Sequence, residues 1–259
     1  MAISFVASGT TAGGNASPVT PDWPTGFAAG DYIICVAAIK YGSYSIITPS
    51  GFTLLGSQSG GLGTDGVSEE GTLKLYAFGH LADGTESGTI SVAAAGGLVN
   101  VMWARTAAFR NSTGIWSVAS GAAAVDAAAG TGVSFTYDTD PGFLAGDWAL
   151  TCWSVNSSAY TVSSHALTAS GLSSITSQSR INTAQLSGAR LRSGLATHDI
   201  GAGTSGGVAT YTHTASGSNA VAPTGASVLI RLRELSTAVA LPGNLLAGGL
   251  QTLSGGLQS

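Results

Sequence analysis

The six-residue pattern Gly-Phe-x-Ala-Gly-Asp is written twice in this chain, at residues 26–31 and again at 142–147. Each copy opens onto an apolar run: Tyr32-Ile33-Ile34-Cys35-Val36-Ala37-Ala38 after the first, Trp148-Ala149-Leu150-Thr151-Cys152-Trp153 after the second. A run of this length between turn residues reads as a buried strand. The dipeptides Gly30-Asp31 and Gly146-Asp147 read as the tight turns that feed those strands, with each Asp bonded to backbone amides of its own turn.

The landmarks that follow recur in the same order. Leu73, Leu75 and Ala77 alternate with Thr72, Lys74 and Tyr76, as Ala189, Leu191 and Ser193 alternate with Arg190, Arg192 and Gly194. Period-two alternation predicts strands with one wet face. A turn-and-strand segment at 80–92 is answered at 198–210, and each copy closes on a long apolar strand, at 98–109 and 226–235. The chain therefore carries an internal duplication.

No segment sustains a helical period, and 38 glycines among 259 residues oppose one. Short strands between Gly, Ser and Asn turns predict an all-β protein of two tandem antiparallel, jelly-roll-like β-sandwiches. The expected units are residues 1–118 and 119–237, followed by a tail at 238–259. The alternative is a single larger sandwich to which each copy contributes one sheet.

Composition narrows the function classes. Hydrophobic residues make up 44% of the chain, enough for a substantial core, while charged residues make up only 8%, against about 25% in ordinary soluble domains. Such a surface suits contact with other protein, or a protein living outside the cytoplasm. The net charge of −4 offers no basic stripe, so nucleic acid is not an expected partner. No stretch reaches the length of a membrane span, and the N-terminus lacks the charged start and apolar core of a Sec-type signal.

Taken together, "MAISFVASGT", "GFAAGDYIICVAA", "TPSGFTLLGS", "LKLYAFGHLADGTESGTISV" and "VNVMWARTAAFR" resemble, in that order, structural proteins of tailed bacteriophages of the minor-tail, tail-fibre or head-decoration type. The resemblance covers the first copy well and the second weakly; Phe52 stands where that pattern has Trp. It implies a non-enzymatic virion component, assembled in the bacterial cytoplasm and released by lysis. The implied partners are other virion proteins and further copies of the chain.

Candidate chemistry is thin. Gly61-Gly63-Gly66 and Gly201-Gly203-Gly206 match G-x-G-x-x-G, but neither opens a predicted helix that could meet a pyrophosphate. Gly203-Thr204-Ser205-Gly206-Gly207 matches G-x-S-x-G, yet a strand follows it where a nucleophile elbow needs a helix. It reads as a polar hairpin turn. His80, His165, His198 and His213 show no metal-ligand spacing, and His80 and His198 occupy matching repeat positions, which favours a structural role at strand ends. Asp138, Asp140 and Asp147 lack the calcium-loop spacing, and Glu69-Glu70 reads as a solvated loop tip. No catalytic, cofactor or metal residue is therefore assigned. A hydrolase built on a carboxylate pair is the third reading. The second is a carbohydrate- or receptor-binding module, for which Tyr41, Tyr44, Trp116, Tyr160 and Tyr211 are the aromatic candidates and a host-surface glycan the partner.

Cys35 and Cys152 are too few for a disulfide framework and are expected to be buried, reduced and in separate cores. In the tail, Leu246, Leu250, Leu253 and Leu257 fall on one face at heptad-like spacing, with Leu245 beside them. Gly248, Gly249, Gly255 and Gly256 would each cost an isolated helix about 0.8–1 kcal/mol. These leucines are expected to order only against a partner.

Overall fold

The computed structural model describes residues 3–40, 45–60, 73–96, 101–126, 132–138, 140–155, 161–185, 191–216 and 225–236. All regular elements among them are strands. The first half holds β1 (Ser4–Ser8), β2 (Ala12–Gly14), β3 (Tyr32–Lys40), β4 (Ser45–Ile46), β5 (Thr53–Gly60), β6 (Leu73–Leu81), β7 (Ala94–Ala95) and β8 (Val101–Arg110). The second holds β9 (Trp116–Asp126), β10 (Gly132–Tyr137), β11 (Trp148–Val155), β12 (Thr161–Ala169), β13 (Leu172–Gln185), β14 (Leu191–Gly203), β15 (Ala209–Ser216) and β16 (Gly225–Glu234). The expected border at 118/119 falls inside β9.

The strand orders repeat. The first half forms a sheet in the order β1-β8-β3-β6-β5, and the second forms β9-β16-β11-β14-β13, the same sequence of partners element for element. Every pairing is antiparallel. The remaining strands cover each sheet. β4 pairs β7 over the first, and β10-β15-β12 forms a three-stranded layer over the second. One departure stands out: β2 joins the main sheet through β8, whereas its counterpart β10 stays in the outer layer.

Between the two large sheets lies a shared apolar layer. Ile34, Leu75, Trp103 and Phe109 from the first half meet Cys152, Leu195, Val228 and Ile230 from the second, all essentially without solvent exposure. Burying each such large side chain stabilises by about 1.5–3 kcal/mol. The backbones nearly touch at one place: a Cβ added to Gly60 in β5 would stand 2.5 Å from the carbonyl oxygen of Gly225 in β16. Only glycine permits that approach.

Along β6 and β14 both large sheets are therefore covered on both faces, which corrects the expectation of a wet face along the alternating strands. In β6, Leu73, Leu75 and Ala77 enter the shared layer, while Tyr76 and Phe78 enter a second cluster beneath the β4–β7 cover. In β14, Leu191 and Leu195 face the shared layer, and Ala196 and Ile200 pack under β10-β15-β12 with Phe135 and Tyr211. Polar letters in these strands marked the second face of an enclosed sheet, not a solvated one.

The cysteines are free and buried. Counted from the matched Asp31 and Asp147, Cys35 and Cys152 are out of step by one residue. A one-residue offset in a strand reverses the face. Cys35 accordingly packs in the outer cluster of the first half and Cys152 in the shared layer.

Candidate functional site

The residues that the duplication singled out form the same constellation twice. At the first turn Gly30 adopts φ +88°, and at the second Gly146 adopts φ +89°, a left-handed conformation that glycine alone takes without strain. Asp31 N donates to Ala28 O and Asp147 N to Leu144 O, both at 3.1 Å. The carboxylates complete the turns: Ala28 N donates to Asp31 Oδ2 and Leu144 N to Asp147 Oδ2, both at 2.8 Å. Self-capping of the turn by its Asp is as the sequence led one to expect.

Sequence reasoning missed the arginines. Arg110, last residue of β8, donates through Nε to Asp31 Oδ1 at 2.8 Å and through Nη2 to Oδ2 at 2.6 Å. Arg233, near the end of β16, makes the same two bonds to Asp147 at 2.8 and 2.6 Å. Each Nη2 also reaches the first glycine of the motif, Gly26 O at 3.1 Å or Gly142 O at 2.9 Å. These are bidentate, charge-assisted pairs, and hydrogen bonding to the aspartates raises both arginines above their ordinary pKa. The signal was present in the closing strands, which carry Phe109-Arg110 and Leu232-Arg233 at or next to their ends. It lay too far along the chain from the turns for local spacing to expose it.

The linker between the halves is pinned to the same region. Asn111 Oδ1 accepts from Gly114 N at 2.6 Å, and Ser112 N donates to Glu234 Oε1 at 2.9 Å. Trp116 Nε1 donates to Gly30 O at 2.8 Å. Leu235 N donates to Ile115 O at 3.0 Å, and Thr113 Oγ1 to Leu235 O at 2.8 Å. Arg180 of β13 adds a cross-half contact, its guanidinium lying 4.7 Å from the Phe5 ring centre and 5.7 Å from that of Trp148.

The remaining candidates fall into structural places. His80, opposite Ile33, and His198, opposite Ala149, hold matching positions. His80 bonds Gly51 O and Glu86 Oε1, both at 2.7 Å, beside Trp23 and Phe52. His198 lies between the hydroxyls of Thr151 at 3.0 Å and Ser177 at 2.7 Å, edge-on to Tyr211. Burial pushes its pKa down to about 3, helped by nearby His165, whose own burial pushes it down to about 4.

Ser205 ties its hairpin to Phe143, accepting from Phe143 N at 2.7 Å while its own amide donates to Phe143 O at 3.0 Å. Asp140 Oδ1 accepts from Gly142 N at 2.7 Å, and Asp138 is exposed. Among the described residues no group of three His, Cys, Asp or Glu is placed to hold a metal ion, and no helix is long and apolar enough to cross a membrane.

Of the aromatic candidates for a glycan platform, Tyr211 is fully buried and Trp116 is partly buried against the linker turn. Tyr41, Tyr44 and Tyr160 lie outside the described residues, as do Glu69-Glu70, Gly61-Gly63-Gly66 and the tail leucines Leu245, Leu246, Leu250, Leu253 and Leu257. The described polar constellations thus serve to lock turns and join halves. No family model matches this chain, nor does any curated protein or solved structure.

Proposed function

We propose that this chain is a non-enzymatic structural component of a tailed-phage particle, of the minor-tail, fibre or decoration kind, present in several copies and held by neutral surfaces and its C-terminal tail. The observation that carries this reading is the doubled body. Two sheets of one strand order are pressed face to face, each closed by its own Asp-Arg clamp, while the chain as a whole carries only 8% charged residues. A body of this kind gives a particle rigidity and leaves apolar and backbone contacts, not ion pairs, to join it to its neighbours. The ordered series of phage-like motifs in the first half supports the same conclusion.

Purified particles provide the test. The protein should be found in them by mass spectrometry and should occupy a repeated position when tagged and imaged. Deleting residues 241–259 should leave a folded, soluble protein that enters particles less often. Particles that lack the full-length protein would overturn the reading.

A further inference from the structure

The two clamped turns differ in what lies over them. At the first, Gly114 Cα stands 3.3 Å from the point a Gly30 Cβ would occupy, and the Trp116 indole donates to Gly30 O. At the second, nothing among the described residues comes within 4 Å of the corresponding point on Gly146. A cleft of about 210 Å³ opens there instead, lined by Leu144, Ala145, Gly146, Asp147, Arg233 and Glu234. Glu234 is only 8% exposed. Its Oε1 is taken by Ser112, but its Oε2 has no hydrogen-bond partner among the described residues. A buried carboxylate oxygen without a donor is costly and marks a place where a donor belongs. Leu144 of the lining is 41% exposed, and Leu235, next after Glu234 in the chain, is 40% exposed.

We propose that this cleft receives the C-terminal segment, residues 241–259, of a second copy of the chain. The residues that directly follow β16 lack the side chains and the glycine with which the linker roofs the first turn. Counted from the matched Arg110 and Arg233, Thr237 stands in the place of Gly114 and Val239 in that of Trp116. Gly114 adopts φ +67°, which a β-branched residue resists, and Val offers no side-chain N–H.

The segment 241–259 has what the cleft lacks. It carries no charged side chain to oppose Glu234. Its leucines suit the flanks, its glycines permit close approach, and Asn244, Gln251 and Gln258 supply amide donors. Extended at about 3.3–3.6 Å per residue, the chain beyond Ser236 has a reach of up to roughly 75–80 Å. The choice of a second copy rests on the assembly role proposed above; the docking itself rests on the cleft.

Sedimentation velocity on the purified full chain tests both. Self-association should appear as concentration rises. A synthetic peptide of residues 241–259 should compete it away, and Ala145→Arg, at an exposed position in the cleft wall, should weaken it at least tenfold while leaving thermal unfolding unchanged. Association that ignores both the peptide and the variant would overturn the cleft. A chain that stays monomeric at every concentration would overturn the second copy as occupant. If Ala145→Arg fails to fold, competition by the peptide alone decides. None of these readings depends on whether the protein is found in phage particles, which tests the assembly role separately.

Discussion

Asp31 and Asp147 each accept one backbone amide and two guanidinium hydrogen bonds. Their side chains are 3% exposed, but the partners differ: Arg110 is 44% exposed and Arg233 24%. Charged hydrogen bonds of this type contribute about 1.5–3 kcal/mol, and water at the guanidinium screens part of that. Asp147→Asn should therefore lower the urea midpoint more than Asp31→Asn does. Arg233→Lys should lower it as well, because an ammonium cannot make the paired contact; equal and negligible effects in all three would refute the clamp.

Buried His198 and partly buried His165 set a pH limit. Folded values near 4 for His165 and near 3 for His198 lie below the roughly 6.5 of an unfolded histidine. Above that value neither state binds the proton and stability is at full strength. As pH falls, the unfolded chain takes up protons that the folded chain refuses, and each histidine removes up to about 1.4 kcal/mol per pH unit. The loss runs down to the folded values. Denaturation curves from pH 7.5 to 4.5 should show this slope, and His198→Gln should flatten it while the carboxylates' share remains.

The strands that feed from the clamped turns were the most legible part of the sequence. β3 and β11 begin where the Gly-Asp pairs predict, and the closing strands β8 and β16 match the long apolar runs. What stayed hidden was which faces are covered. Alternation in β6 and β14 records two sides, but it does not say that a second sheet or a layer of loops lies over the polar-looking side. The turn's Asp was readable because its amide partners are local; Arg110 and Arg233 were not, because only strand order brings them near. The tail leucines lie outside the described residues and remain a matter of sequence. The thiols test the element scale directly. Burial pushes Cys35 up to about 12 and Cys152 upward as well, so maleimide at pH 7.5 should leave the native protein unmodified. In denaturant without reductant, both should react. Rapid native labelling of either would mean its strand is not enclosed.

At the scale of the molecule, the shared layer means that neither half hides its own apolar surface. Residues 1–115 produced alone should bare the face of Ile34, Leu75, Trp103 and Phe109, and should aggregate or bind a hydrophobic dye where the whole chain does not. A soluble, dye-negative monomer with a cooperative melt would show that the halves are independently cored. The same layer has a consequence for synthesis. The first sheet can close once Arg110 has left the ribosome, since β8 sits between β1 and β3. Its covering partner is complete only when β16 ends at Glu234. At 5–20 residues per second that interval lasts on the order of 10 s. For that time a nascent chain displays a finished, greasy sheet to its surroundings. Many such chains growing side by side on one message would face the choice between waiting for their own second half and pairing with a neighbour's.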